Sequence, residues 1–395
     1  MAQQKFWHPP TWKWVLAIAL FACAFFFWRA RARSPTIELL PFTDARPAWN
    51  GSYPYLTIPL INPEDGVSLN GAIKLNQPTL HHESVINESQ VDLHTGMFLL
   101  RQTDLFVNDN FPLSLTRTYR PWTSYATAFG VGANHSYDIW PTGSRFPYTY
   151  IDLNLEEGRQ MHFRRVSKGS GYADAVFRHE ETSSEFYGAL IAWNGDGWTL
   201  KFLDGAVVKF PEAYYAKNWA QGSAIEMQDA SGHLVHLRRD KERNLLHLIS
   251  PSGRTISFKH DNASRVIEAS DDAGNVRKYS YDSTGHLETV ADRSHTLYRF
   301  EYKQLLHFTG YDPYLMTAIF DGNGEKLLEN TYDENGKISG QRLRSGVVYR
   351  FEYLLGRDRD IVETTVRGPE GEKRFFFHGG LLTKEETRAH KPQPH

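Results

Sequence analysis

The chain has one cysteine, Cys23, in 395 residues. That excludes an intrachain disulfide and any zinc site built from cysteines. No G-x-x-x-x-G-K-[ST] run is present, so there is no phosphate-cradling P-loop. Gly130-Val131-Gly132 lacks a third glycine, and no helical pattern follows it, which excludes a dinucleotide fingerprint. There is no G-x-S-x-G elbow for a serine nucleophile. His82-Glu83 and His179-Glu180 are not followed by the second histidine of a zinc-protease helix. Asp321-Gly322-Asn323-Gly324-Glu325 starts like a calcium loop but has no glycine at its sixth position. His81-His82 and the pair His233 and His236 point to opposite faces of any strand that carries them. No cofactor and no metal are therefore expected.

Charge of one sign is scarce as well. Lys and Arg number 44 against 46 Asp and Glu, a net charge of −2. Five of the basic residues (Lys5, Lys13, Arg29, Arg31, Arg33) stand in the first 33, which hold no acid, leaving 39 against 46 in the rest. A mildly acidic body lacks the basic face of a nucleic-acid binder. Long apolar runs are missing except for one. Trp14–Trp28 is uncharged and flanked by Lys13 and Arg29. With Trp12 it approaches the length of a membrane-spanning helix, and Trp12, Trp14 and Trp28 suit an aromatic belt. Residues 1–33 are thus read as a transmembrane anchor, single-pass, with the body on the extracytoplasmic side. A cleaved signal peptide is the rival reading, and a buried core helix the third.

What is present is a repeat. His260-Asp261, Tyr281-Asp282 and Tyr302-Lys303 follow one another at 21 residues, and the spacing returns between Tyr332-Asp333 and Tyr353-Leu354. A fixed period fixes the architecture. Asp282-Ser283-Thr284-Gly285 and Asp333-Glu334-Asn335-Gly336 read as turns. Asp can bond the backbone two residues on, and Gly supplies the positive φ that closes a short hairpin. The same signal stands at Asp229–Gly232, Asp271–Gly274, Asp321–Gly324 and Pro369–Gly371. Tyr298, Phe300 and Tyr302 alternate with Arg299 and Glu301, and Tyr349, Phe351 and Tyr353 with Arg350 and Glu352. A period of two means strands with one aromatic and one charged face. A lone hairpin is marginal, so the units must join edge to edge. The expectation is an all-β fold of antiparallel hairpins in a long curved sheet or partial shell, continuous with an N-terminal β-rich domain. The repeats supply about ten to twelve strands, at two per hairpin.

These residues resemble the YD repeats of the Rhs family. Tyr281, Asp282, Gly285, Tyr302, Tyr332, Asp333, Gly336 and Tyr353 are the repeat-motif positions, with a structural role. Upstream, Val91-Asp92-Leu93-His94-Thr95-Gly96, Gln102-Thr103-Asp104-Leu105, Pro112–Tyr119 and Phe129–Tyr137 resemble the domain of unknown function that opens many Rhs proteins. The two resemblances cover residues 88 to 380. In large Rhs proteins the repeats wind a closed shell around a C-terminal toxin, and the shell ends in an aspartate-based cleavage block. Here Asp312-Pro313 lacks the following glycine and precedes two further repeats, so it reads as a turn. Only residues 381–395 follow the last repeat, too few for a folded toxin domain.

The expected domains are then the anchor 1–33, a tether 34–87 carrying seven prolines between Pro35 and Pro78, a β domain 88–215, repeats 216–380, and a polar tail 381–395. The upstream domain is expected to continue the repeat sheet and cover one of its edges. Residues 361–377 would form the other, free for a partner chain or a second copy. Three functions follow. The first is a membrane-anchored, non-catalytic Rhs-type interaction or scaffold module. A carbohydrate-binding surface protein is the alternative, and it needs exposed aromatics gathered on one face; Trp122, Trp140, Trp193 and Trp198 are the candidates. The third is a hydrolase with two carboxylates in the upstream domain, which needs pKa values pushed apart.

Overall fold

A computed structural model of the chain describes residues 90–389, apart from 122–125, 182–183, 217–218, 306–312, 358–359 and 379–380. The anchor segment Trp14–Trp28, the tether, His81-His82, Trp122 and Asp312 lie outside the described residues. Among the described residues no helix is long and apolar enough to cross a membrane.

The turns build the fold. At Asp282 the carboxylate accepts the backbone N–H groups of Thr284 at 2.8 Å and His286 at 3.0 Å. Gly285 closes the loop at φ +91°. Asp229, Asp321 and Asp333 each accept two backbone N–H groups in the same way. Each turn reverses the chain, so each strand is delivered beside the one before it.

The product is one antiparallel ladder of 22 strands in sequence order, from Trp140–Gly143 to Leu381–Ala389. Its strand order closes as a ring, with Leu381–Ala389 next to Trp140–Gly143, while the residue-by-residue registers among the described residues join sequence neighbours. Fifteen of its strands lie between Glu226 and Ala389, more than the about ten to twelve expected from two strands per hairpin. The difference lies partly at the C-terminal end. The stretch read as a polar tail begins with the nine-residue strand Leu381–Ala389, so that strand, not 361–377, is the last of the ladder.

Alternation sets the faces. In the strand Thr296–Gln304, Phe300 is buried and Glu301 exposed. In Val348–Leu355, Phe351 is buried between exposed Arg350 and Glu352. The buried face packs on a separate block made of a three-stranded sheet, Leu100–Val107, Leu113–Tyr119 and Ala133–His135, and the short hairpin Ala126–Thr127 with Gly130–Val131.

This block lies across the ladder. Leu93 O accepts Thr364 Oγ1 at 2.6 Å, Gly96 O accepts the Ile338 N–H at 2.8 Å, and Asp104 accepts the Tyr279 hydroxyl at 3.0 Å. Asp109 accepts the hydroxyls of Ser250 and Ser252. As the block advances from Leu93 to Asp109, its partners step back from Thr364 to Ser250. Its strands therefore run over the ladder strands, as in an orthogonal sheet packing. This corrects the expected arrangement in part. From Trp140 onward the upstream region does continue the ladder, but residues 90–135 cover its face instead of extending its edge. The burial of Leu113–Tyr119 gives the reason. Leu113, Leu115, Arg117 and Tyr119 on one side and Ser114 and Thr118 on the other are all buried, which suits an inner layer.

Candidate interaction site

The repeat-motif residues sit at the seams between strands. Tyr281, Tyr302 and Tyr353 reach back to the preceding, directly paired strand, and their hydroxyls donate to the carbonyls of Val266 at 2.6 Å, Leu287 at 3.0 Å and Ile338 at 2.7 Å. Tyr332 does the same to Met316 O at 2.6 Å. Asp282 and Asp333 hold their turns, and Gly285 and Gly336 close them. None of these side chains converges on another across space to make a reaction site.

The upstream motifs meet the repeats. Arg117 is fully buried and pairs with Asp104 through Nε at 3.2 Å and Nη2 at 3.3 Å, while Nη2 also donates to Gln102 at 2.7 Å. Its guanidinium lies 5.3 Å from the Phe300 ring centroid. Burial alone would lower the arginine pKa, but the Asp104 carboxylate carries it above its usual value. Tyr119 accepts the Met316 N–H at 3.2 Å and packs edge-on against Tyr302. Gly130, at φ +85°, passes so close to the ladder that a Cβ there would stand 2.4 Å from Gly285 O.

A buried polar cluster lies beside this seam. His135 is sealed from solvent 3.6 Å from Asp138, which in turn holds Arg239 at 2.8 Å. Burial lowers the His135 pKa despite Asp138, and lowers that of His260 nearby. The His135 ring is enclosed in this seam and packs against Phe129 and Phe258. Where carboxylates depart from their usual range they do so downward. In Asp109, burial opposes the shift, but hydrogen bonds from Ser250 and Ser252 bring the value to about 2. Backbone N–H groups of His295 and Ser294 bring Asp292 to about 2. A general acid needs the opposite shift. Among the described residues no three His, Cys, Asp or Glu side chains gather as metal ligands.

Two surfaces remain. The first is the last strand of the ladder, Leu381–Ala389, which pairs along one side with Gly371–His378 and has only the four-residue strand Trp140–Gly143 next to it in the strand order on the other. The second lies at the near end. Trp140 and Trp198 are buried and Trp193 half-buried, so the tryptophans named from sequence are mostly floor. The exposed rings there are Phe146, Tyr172, Tyr214 and Tyr215, none of which carried a periodic signal.

The near end also overlaps the one region with a family match. Residues 88–163 match a domain of unknown function, DUF6531. The match takes in the crossing block, the first two ladder strands and part of the third. An all-β ladder joined to a DUF6531 domain accords with the Rhs-like reading. No curated protein sequence matches the chain. Among solved structures, the crystal structure of TcdB2-TccC3-Cdc42 is 13% identical, with a TM-score of 0.29 over 70% of this chain and 19% of that one. That of TcdB2-TccC3 is 15% identical, with a TM-score of 0.29 over 69% and 16%. The Photorhabdus luminescens Tc holotoxin pore is 11% identical, with a TM-score of 0.15 over 74% and 22%. The chain spans about a fifth of the length of these chains, and at such scores the likeness carries no argument about arrangement or role.

Proposed function

We propose that the protein is a membrane-attached, Rhs-type β scaffold that acts by contact and not by catalysis, and that its ladder is extended at Leu381–Ala389 by a second copy. The observation that carries this reading is the second side of that nine-residue strand, which its neighbour in the strand order, the four-residue Trp140–Gly143, is too short to cover. An open strand offers a row of N–H and C=O groups to another strand. Its charges suit pairing with itself. Set antiparallel about Glu385, Lys384 of each copy faces Glu386 of the other and Thr383 faces Thr387, while the two Glu385 side chains meet at the axis and oppose the pairing. Lys384 and Glu386 already lie 2.6 Å apart within the strand, so two copies bring four charges of alternating sign together. Opposite charges set directly across a strand pair favour it, and a two-fold contact repeats the gain.

Sedimentation velocity on the full chain in detergent tests this. A monomer–dimer equilibrium is expected. Lys384→Glu should shift it toward monomer, and the swap Lys384→Glu with Glu386→Lys should restore it. A chain that stays monomeric at every concentration, or a swap that restores nothing, would sink the proposal. Attachment through Trp14–Trp28 has its own test, resistance to carbonate extraction; a soluble mature form starting near Arg33 would favour the signal-peptide reading instead.

A further inference from the structure

The exposed aromatic rings are not scattered. Phe146 is 73% exposed, Tyr172 47%, Tyr214 44% and Tyr215 88%. Only Phe106 and Tyr150 complete the set of exposed aromatics among the described residues. The four belong to one continuous file of rings. Tyr215 lies 4.6 Å from Tyr214, Tyr214 5.9 Å from Phe146, and Phe146 5.8 Å from Tyr148. Tyr148 lies 6.0 Å from Tyr172, and Tyr172 5.0 Å from Trp193. Beneath the file runs a shallow open cleft whose lining includes Ser144, Arg145, Tyr148 and Trp198.

Phe146 shows that the display has a cost. It sits at φ +55°, a conformation that phenylalanine rarely adopts. Its ring stands in water, so the strain gains no core packing. Strain retained at a solvent-facing side chain points to a contact made outside the chain. The polar groups beside the rings are balanced in charge. Arg145 lies over the Tyr214 ring at 4.7 Å and is paired with Glu212 at 3.0 Å. The hydroxyls of Ser144 and Thr149 lie 2.7 Å apart on the same loop.

We propose that this file is a binding site for a neutral glycan chain. Sugars present apolar C–H faces to aromatic rings and hydroxyl rims to forked polar groups such as an arginine–carboxylate pair. A row of several rings beside such a pair suits a polymer better than a single small ligand. A nucleic-acid strand would also stack on rings, but it needs a positively charged groove along its backbone. Here the one cation shown against the rings, Arg145, is neutralised by Glu212. The site lies on the first strands of the ladder and its loops, so it does not depend on self-pairing at Leu381–Ala389.

Affinity electrophoresis of the full chain in detergent tests it, in gels containing a soluble β-glucan, an α-glucan, a galactomannan or a chitin derivative. Retardation by at least one polymer is expected. Phe146→Ala combined with Tyr215→Ala should weaken it about tenfold or more at an unchanged melting temperature, while Phe106→Ala and Lys384→Glu leave it unaltered. The proposal is overturned by no retardation on any of the four, by retardation that the double variant keeps, or by a dimer that the double variant dissolves, which would make the patch a protein interface.

Discussion

The Tyr302 hydroxyl donates to the carbonyl of Leu287, fifteen residues back, at 3.0 Å. The carbonyl lies on the preceding strand, which is paired with the tyrosine's own, so each such bond adds a side-chain tie to the backbone ladder. Tyr281, Tyr332 and Tyr353 repeat the contact. Removing the hydroxyl leaves a buried carbonyl one partner short, a loss of about 1 kcal/mol. Each Tyr→Phe variant at these four positions should therefore lower the melting temperature by about 2–4 °C in a body of this size. Combining Tyr302→Phe with Tyr353→Phe should add nearly in full, because the two sites share no partner. Glu301→Ala, on the exposed face, should change nothing. Equal effects at Glu301 and Tyr302 would mean that the faces are misassigned.

Much of this clasp was legible in the sequence. The 21-residue spacing located the tyrosines, the alternation of Phe300 with Arg299 and Glu301 set the faces, and the Asp-x-x-Gly signal marked the turns. The acceptor of each hydroxyl was not legible, because a period says which residues are equivalent and not which carbonyl of the neighbouring strand lies within reach. The crossing of the block over the ladder was hidden for a related reason. Asp104 and Arg117 stood in the quoted upstream motifs, but their contacts with Tyr279 and Phe300 join segments more than 170 residues apart, and a buried polar pair leaves no periodic trace. The glycan file was missed because Phe146, Tyr214 and Tyr215 sit in loops, where aromatic placement follows no alternation.

Stability should fall at both ends of the pH scale. His135 and His260 are held below their ordinary value near 6.5, chiefly by burial. Below that pH the unfolded chain takes up protons that the folded one refuses, so stability drops as pH falls. Burial pushes the Tyr137 hydroxyl up to about 12 and raises Tyr279, Tyr281, Tyr332 and Tyr353 from a value near 10.0. Above pH 10 the unfolded chain releases those protons first, so stability drops as pH rises. Urea midpoints should be highest between about pH 6.5 and pH 10. Tyrosinate absorbance should show that the buried tyrosines ionise only with unfolding. Their ionisation in the folded protein would contradict the burial of the clasp.

In two turns of the ladder a side chain stands in the left-handed position that glycine fills elsewhere. Arg243 and Ser264 stand fourth in the turns opened by Asp240 and Asp261, at φ +73° and +63°, where Gly232, Gly274 and Gly285 stand in their own turns. The turn hydrogen bonds are intact, with Arg243 N–H to Asp240 O at 3.1 Å and Ser264 N–H to Asp261 O at 3.0 Å. A side chain in this conformation costs roughly 1 kcal/mol. Glycine removes that cost and gives back part of it as unfolded-state entropy. Arg243→Gly and Ser264→Gly should each raise stability by about 0.5 kcal/mol, visible as a higher urea midpoint. A lower midpoint would show that the side chains hold the turns.

The buried pair of Asp104 and Arg117 provides the most demanding test of the block as a structural keystone. Asp104 accepts from Arg117 on both oxygens and from the Tyr279 hydroxyl, and Arg117 lies against Phe300. Both side chains are almost wholly shut off from water, at 2% and 1% exposure. Removing one partner leaves the other charged and enclosed, which costs about 3–5 kcal/mol. Arg117→Met and Asp104→Leu should each destabilise by that amount. The double variant should cost much less than the sum, because no uncompensated charge remains and the apolar replacements meet a surface that already holds Phe300. The cycle is read from urea unfolding followed at two probes, tryptophan fluorescence for the ladder and proteolytic sensitivity of residues 90–120 for the block. Coincident transitions would mean that block and ladder fold as one unit. A double variant whose cost equals the sum of the two single costs would show that the charges do not interact, and the pairing drawn between the upstream motifs and the repeats would then fail.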